Sequence, residues 1–185
     1  MERRKALALT ASILGGTIIG SEFFLLGCSG NANNRAMFSE SDVAFLDEVG
    51  ETILPRTERS PGAKAAKIGM FMKMIVTDCY DQKEQKTFIS GIKELNTLAK
   101  ERYSKGFMEM EKDQKQQLLV HLDKESKTLP DDGATHFFQM MKQLTIWGYF
   151  TSEPGATKAL RYNPIPGKFV GCIPYAEGDK AWADL

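Results

Sequence analysis

Residues 134–150 read ATHFFQMMKQLTIWGYF, and their apolar side chains fall on nearly every side of the helix they spell. Phe137, Phe138, Met140, Met141, Leu144, Ile146, Trp147 and Tyr149 are too widely spread for one stripe. A helix apolar all round is central and buried, so the fold must supply other helices to cover it. They are present. Ser39 or Ser41 can cap a helix with Glu40 and Asp42 at its positive end. Val43, Leu46, Val49 and Ile53 then recur at helical spacing, with Phe45 and Leu54 alongside, until Pro55 ends the run. After a polar loop over 56–62, the run AKAAKIGMFMKMIVTDCY predicts one helix with Ile68, Phe71, Met72, Ile75 and Cys79 on one side. A break begins at Asp81. Residues 85–103 predict a further amphipathic helix through Phe88, Ile92, Leu95, Leu98 and Ala99, stopped by Gly106. A charged helix starts near Asp113 with Leu118, Leu119, Leu122 and, on one reading, Val120 as its apolar face, and 130–133 is a turn. No strand-type alternation runs beyond a few residues. The fold class is all-α, a single bundle of about five helices.

The C-terminal stretch has a different character. Residues 151–182 hold four of the seven prolines together with Gly155, Gly167, Gly171 and Gly178. A short helix after Pro154 is expected, because proline suits a first turn. Beyond Asn163 the X-Pro steps favour extended backbone, giving a Pro/Gly-rich tail. Such a tail either wraps over the bundle or presents Tyr162, Phe169, Tyr175 and Trp182 to another protein.

The N-terminus reads as an export segment. Arg3-Arg4-Lys5 precedes an apolar stretch that ends on Leu25-Leu26-Gly27-Cys28 and runs into a polar Ser/Gly/Asn/Ala tether. That is the order of a lipoprotein signal, with Cys28 as the lipidated first residue of the mature chain. The alternative is a membrane anchor, for which roughly 20 apolar residues are needed. Gly15, Gly16, Gly20, Ser21 and Glu22 dilute the stretch. Arg3 and Arg4 also allow a twin-arginine export signal. The expected organisation is a signal over 1–27, a tether over 28–38 and one helical domain over 39–185, placed outside the cytoplasm as a membrane-anchored lipoprotein on the periplasmic side.

Removing residues 1–27 lowers the basic count from 24 to 21 and the acidic count from 24 to 22, a formal charge of −1. No basic field exists to attract nucleic acid. With Cys28 assigned to lipid, Cys79 and Cys172 remain, and an oxidising compartment makes an intramolecular disulfide the expected pairing. Two buried free thiols are the alternative.

Catalytic constellations are thin. The two histidines, His121 and His136, fall on separate predicted helices, without a His-x-x-x-His or Cys-x-x-Cys pattern. Each is read as a surface or satisfied histidine. There is no Gly-x-Gly-x-x-Gly, no P-loop and no Cys-x-x-Cys-His, so nucleotide and c-type haem binding lack local support. Catalytic, cofactor-binding and metal-binding residues are therefore expected to be none in this chain.

The segment TIWGYFTSEPGATKALRYNPIPGKFVGCIP, residues 145–174, resembles the C-terminal signature of the gluconate 2-dehydrogenase subunit 3 family. Upstream, Glu51-Thr52-Ile53-Leu54-Pro55, Pro61-Gly62-Ala63 and Asp78-Cys79-Tyr80 follow the family's first half in order. Pro154 departs from the pattern, as does an N-terminus that looks lipidated. The resemblance implies a non-catalytic small subunit beside a large FAD-dependent sugar or polyol dehydrogenase of the glucose–methanol–choline class. It also implies a cytochrome c subunit, bearing haem c, as the usual electron acceptor. Relatives carry the folded flavin subunit across the membrane on their own twin-arginine peptide. The tail is then the expected partner interface, with Tyr149, Arg161, Tyr162, Phe169 and Tyr175 as anchors, Arg161 through the bidentate pairing its guanidinium permits. A free-standing lipid-anchored binding module is the alternative. An enzyme in its own right is a third reading, for which no nucleophile with a helper and no acid–base pair is found.

Overall fold

A computed structural model describes residues 37–128, 135–165, 167–168 and 171–183. The expectations at Arg3, Arg4, Cys28, Phe169 and the turn over 130–133 lie outside the described residues. Among the described residues five α-helices form the domain: α1 (Glu40–Ile53), α2 (Ile68–Cys79), α3 (Gln82–Tyr103), α4 (Lys112–Thr128) and α5 (Phe137–Thr151). Short turns of 3-10 helix occupy Ala63–Ala66 and Phe107–Glu109, and a π turn occupies Gly155–Ala159. No strand occurs among the described residues.

Local chemistry explains most helix ends. Ser39 caps α1: its Oγ accepts from Asp42 N–H at 3.2 Å, while the Asp42 carboxylate accepts from Ser39 N–H at 2.9 Å. Asp81 does the same for α3, accepting from the Lys83 and Glu84 amides at 2.7 and 2.8 Å, with Glu84 reaching back to Asp81 N–H. That box starts α3 at Gln82, three residues before the apolar pattern does. His136 caps α5 through Nδ1, which accepts from Phe138 N–H at 3.2 Å. The end of α3 falls on Ser104, left-handed at φ 55°, and not on Gly106.

The run from Ala63 to Tyr80 is not one helix. Lys67 turns left-handed at φ 52° between the 3-10 turn and α2. In a continuous helix the Gly69 amide would bond the preceding turn; here it donates to Asp47 Oδ1 of α1 at 2.7 Å. A tertiary hydrogen bond has replaced a local one. At the other end of α2, the buried Gln85 side chain donates from Nε2 to the carbonyls of Val76, Thr77 and Tyr80 at 3.0–3.2 Å. Those are the carbonyls a helix end leaves without intrahelical partners.

The core helix is confirmed as central, since α5 packs against all four of the others. It is not enclosed. Phe137, Phe138, Met140, Met141, Leu144 and Tyr149 are buried, whereas Ile146 and Trp147 are exposed. Val120 is exposed as well, which corrects its placement on the apolar face of α4. Phe38, assigned to the tether, is buried and meets Phe88 edge-on at 6.1 Å. Phe107, within the 3-10 turn before α4, is fully buried against Phe45 at 5.3 Å. Two ionic ties join helices among the described residues: Glu48 of α1 accepts from Lys115 of α4 at 2.6 Å and also pairs with Lys64, and Asp123 of α4 accepts from Lys142 of α5 at 2.5 Å. Lys115 is itself buried over the Phe107 ring.

The expected disulfide is absent: Cys79 and Cys172 are free thiols, and both are exposed. Cys79 is the last residue of α2 and lies outside its buried side, which is formed by Ile68, Gly69, Met72 and Val76. The tail is held by other contacts, described below. Neither the disulfide nor the buried-thiol alternative describes them.

Candidate partner interface

Two segments far apart in sequence meet at one end of α1 and α5. The loop after α1 is organised by Glu51, whose carboxylate accepts from Arg56 N–H at 3.0 Å and from Lys64 N–H at 2.9 Å. Gly62 makes room for it: a Cβ there would lie 2.1–2.5 Å from the Glu51 carboxylate. Thr57 and Ser60 close the loop tip, Thr57 N–H donating to the Ser60 carbonyl at 2.9 Å. Tyr149 of α5 then donates its hydroxyl to the Pro61 carbonyl. Burial raises the Tyr149 pKa above the ordinary 10.0, and the Glu51 charge adds to the rise over an opposing contribution from Ser60. The phenol therefore stays protonated and able to donate.

Beyond α5 the chain reverses tightly. Ser152 Oγ donates to the Tyr149 carbonyl at 2.6 Å, and Leu160 N–H donates to the Gly155 carbonyl at 2.9 Å to close the π turn. Gly155 sits so near the end of α5 that a Cβ would lie 1.8 Å from the Tyr149 carbonyl oxygen. Only glycine fits that contact without moving backbone.

From Arg161 the tail runs outward and returns. Arg161 N–H donates to the Ala181 carbonyl at 2.8 Å, and Ala183 N–H donates to the Arg161 carbonyl at 3.0 Å, an isolated parallel bridge between Arg161 and Trp182. The Arg161 guanidinium lies 4.4 Å over the Trp182 ring. Lys180 donates to the Lys158 carbonyl, and Arg59 donates to the Gly178 carbonyl at 2.8 Å, linking the tail to the 55–62 loop. Every described residue from 162 to 181 is exposed. The described residues of the tail form an arch with pinned feet, and they do not cover the bundle.

An open cleft of about 600 Å³ lies along the loop after α1, lined by Glu51, Arg56, Arg59, Ser60, Lys64 and Lys158 among others. A second, of about 470 Å³, opens between the π turn, Arg161 and Tyr162, and residues 178–180. Basic and acidic groups mix on these surfaces: Arg56, Arg59, Lys64 and Lys158 stand with Glu51 and Glu58 in the first, and Arg161 and Lys180 with Asp179 in the second. No group of three or more His, Cys, Asp or Glu able to hold a metal occurs among the described residues.

The anticipated anchors divide accordingly. Tyr162 and Tyr175 are exposed at 46 % and 78 %, and Arg161 is exposed with its face on Trp182. Tyr149 is corrected: it is buried at 3 %, its hydroxyl is spent on Pro61, and it acts as an internal brace. His121 meets Arg102 at 2.6 Å on the exposed surface, far from this end in sequence. Trp182, anticipated as an aromatic presented to another protein, instead underlies Arg161, and Glu51, Arg59 and Lys158 were not singled out as site residues. Their segments carry recognisable turn chemistry, but nothing local in them announces that they meet.

A family model described as gluconate 2-dehydrogenase subunit 3 matches residues 40–167. That span contains α1 to α5, the loop, the π turn and the first foot of the arch. No curated protein and no solved structure matches the chain.

Proposed function

The chain belongs to the gluconate 2-dehydrogenase subunit 3 family and hence to a multi-subunit dehydrogenase; on that premise we propose that it is the non-catalytic small subunit. Its large partner is an FAD-dependent sugar or polyol dehydrogenase, with a cytochrome c subunit bearing haem c as electron acceptor. The small subunit exports, steadies and tethers the flavin subunit: Arg3 and Arg4 address it to the folded-protein route, and lipid on Cys28 holds it to the periplasmic side of the membrane. The substrate is chosen by the flavin subunit, where the chemistry takes place.

The arch is the observation that supports this reading best. Held by Trp182 on Arg161 and by Arg59 on Gly178, it is pre-shaped, so less conformational entropy is lost when a partner docks. Tyr162 and Tyr175 stand in solvent, where the fold gains nothing from them. The test is to express the full chain in its native host, recover it through a C-terminal tag and record what elutes with it. A flavin-containing dehydrogenase subunit in stoichiometric amount is expected. Recovery of the chain alone, with no flavoprotein under any extraction condition, would overturn the reading.

A further inference from the structure

We propose a second docking face for the flavin-containing subunit: the uncharged stripe of Met70, Phe71 and Met74 on α2 with Ile146, Trp147 and Phe150 on α5. This rests on the reading above that such a partner exists. Met70, Met74, Ile146 and Trp147 are 50, 54, 40 and 53 % exposed. Phe71 and Phe150 are half-buried, and Phe71 meets Trp147 edge-on at 5.4 Å, joining the two helices' outer flanks. Packing inside the bundle does not require the four exposed residues, while Phe71 is seated on Gly148 of α5, where a Cβ would lie 2.4 Å from its ring. The buried side of α2 is Ile68, Gly69, Met72 and Val76, and that of α5 runs from Phe137 to Tyr149 without Ile146 or Trp147.

Charge is missing here in a chain that is 26 % charged. Residues 143–152 contain no charged side chain, and within 68–77 the sole one is Lys73, which points its ammonium at the Phe38 carbonyl. Interface cores are depleted in Lys, Glu and Asp and enriched in Trp, Phe and Met, the composition found here. The complementary surface must be apolar and uncharged as well, because a buried charge opposite this stripe would find no partner.

Two other occupants fit less well. A membrane-lying face carries free Lys and Arg along its polar border; here Lys73 is turned to the Phe38 carbonyl and Lys142 is paired with Asp123, which leaves Lys67 beside Gln139, Gln143, Thr151 and Asp78. A second copy of this chain would need about 800 Å² per partner for a stable interface. An exposed patch of this make-up supplies only on the order of a few hundred Å². The stripe suits a partner that also grips the molecule elsewhere, and α5 leads from it through Thr151 and Ser152 into the π turn and the arch.

The experiment places a photoreactive residue at position 74, 147, 162, 175 or 101 of the full chain in its native host, position 101 being the control on exposed α3. Cross-links from 74 and 147 to the flavin-containing subunit, absent from 101, are expected. The double variant Met74→Gln, Trp147→Gln should recover at least tenfold less flavoprotein with its helical circular dichroism unchanged. Cross-links from 74 and 147 to a second copy overturn the proposal. So does an emission shift of Trp147 on adding phosphatidylethanolamine–phosphatidylglycerol vesicles, measured with Trp182→Phe as background. Cross-links to the flavoprotein from 162 and 175 alone reject the stripe and leave the small-subunit reading standing. None from any position rejects both.

Discussion

At the residue scale, Tyr149 holds the two family segments together, since its hydroxyl reaches from α5 to the Pro61 carbonyl. Removing that hydroxyl in Tyr149→Phe should destabilise the domain by about 1 kcal/mol, the ordinary worth of such a bond. The pH dependence carries a definite sign. Tyr149 is raised above 10.0 in the folded chain, chiefly by burial, so its contribution is whole below that value and is lost as pH climbs through the raised one. Denaturant titrations from pH 8 to 11 should show the wild type losing stability faster than Tyr149→Phe. Parallel curves would mean that the phenol is not held protonated. His136 offers a second check. As the cap of α5 it should be replaceable by Asn, whereas His136→Ala should lower stability by about 1 kcal/mol.

At the scale of elements, Glu48 ties α1 to α4 and to the 3-10 turn through Lys115 and Lys64. Burial pushes its carboxyl upward, but the hydrogen bonds and charges of the two lysines prevail and hold it below the ordinary 4.5. The tie therefore contributes above about pH 4.5 and is lost as pH falls through the lowered value. Glu48→Gln should be less stable than wild type by about 1–2 kcal/mol at neutral pH, and the two should converge in acid. Persistence of the gap at pH 2 would point to packing instead. For the arch, Trp182→Ala removes the platform under Arg161, an exposed cation–π contact of about 0.5–1 kcal/mol. The bundle should melt unchanged, and proteolysis should be faster between 162 and 181.

Element existence was readable because helical periodicity and caps are local. Pro55 ends α1 at Ile53 as anticipated, and Ser39 caps it. The Asp81–Glu84 box was also present in the sequence and places the start of α3 more accurately than the apolar pattern does. The break at Lys67 was not legible, since its cause is an Asp47 carboxylate one helix away. Tyr149 looked like an anchor for the same reason: an aromatic beside a proline-rich tail gives no sign of the carbonyl that will bury its hydroxyl.

For the molecule as a whole, the sequence by itself determined an all-α domain organised on one central helix, and its long motif determined the family. Helical period, capping chemistry and a motif of thirty residues, 145–174, are properties of neighbours along the chain, and no folding is needed to read them. Tertiary structure alone decided that the loop after α1, the π turn and the tail form one surface. It also decided that Cys79 and Cys172 stay unpaired, and that the central helix keeps Ile146 and Trp147 in solvent. Those outcomes depend on which flank of α5 the other four helices cover, and on whether distant backbone groups find partners. Contacts of that kind join residues roughly 90 apart, such as Pro61 with Tyr149, and no local pattern in the chain encodes them.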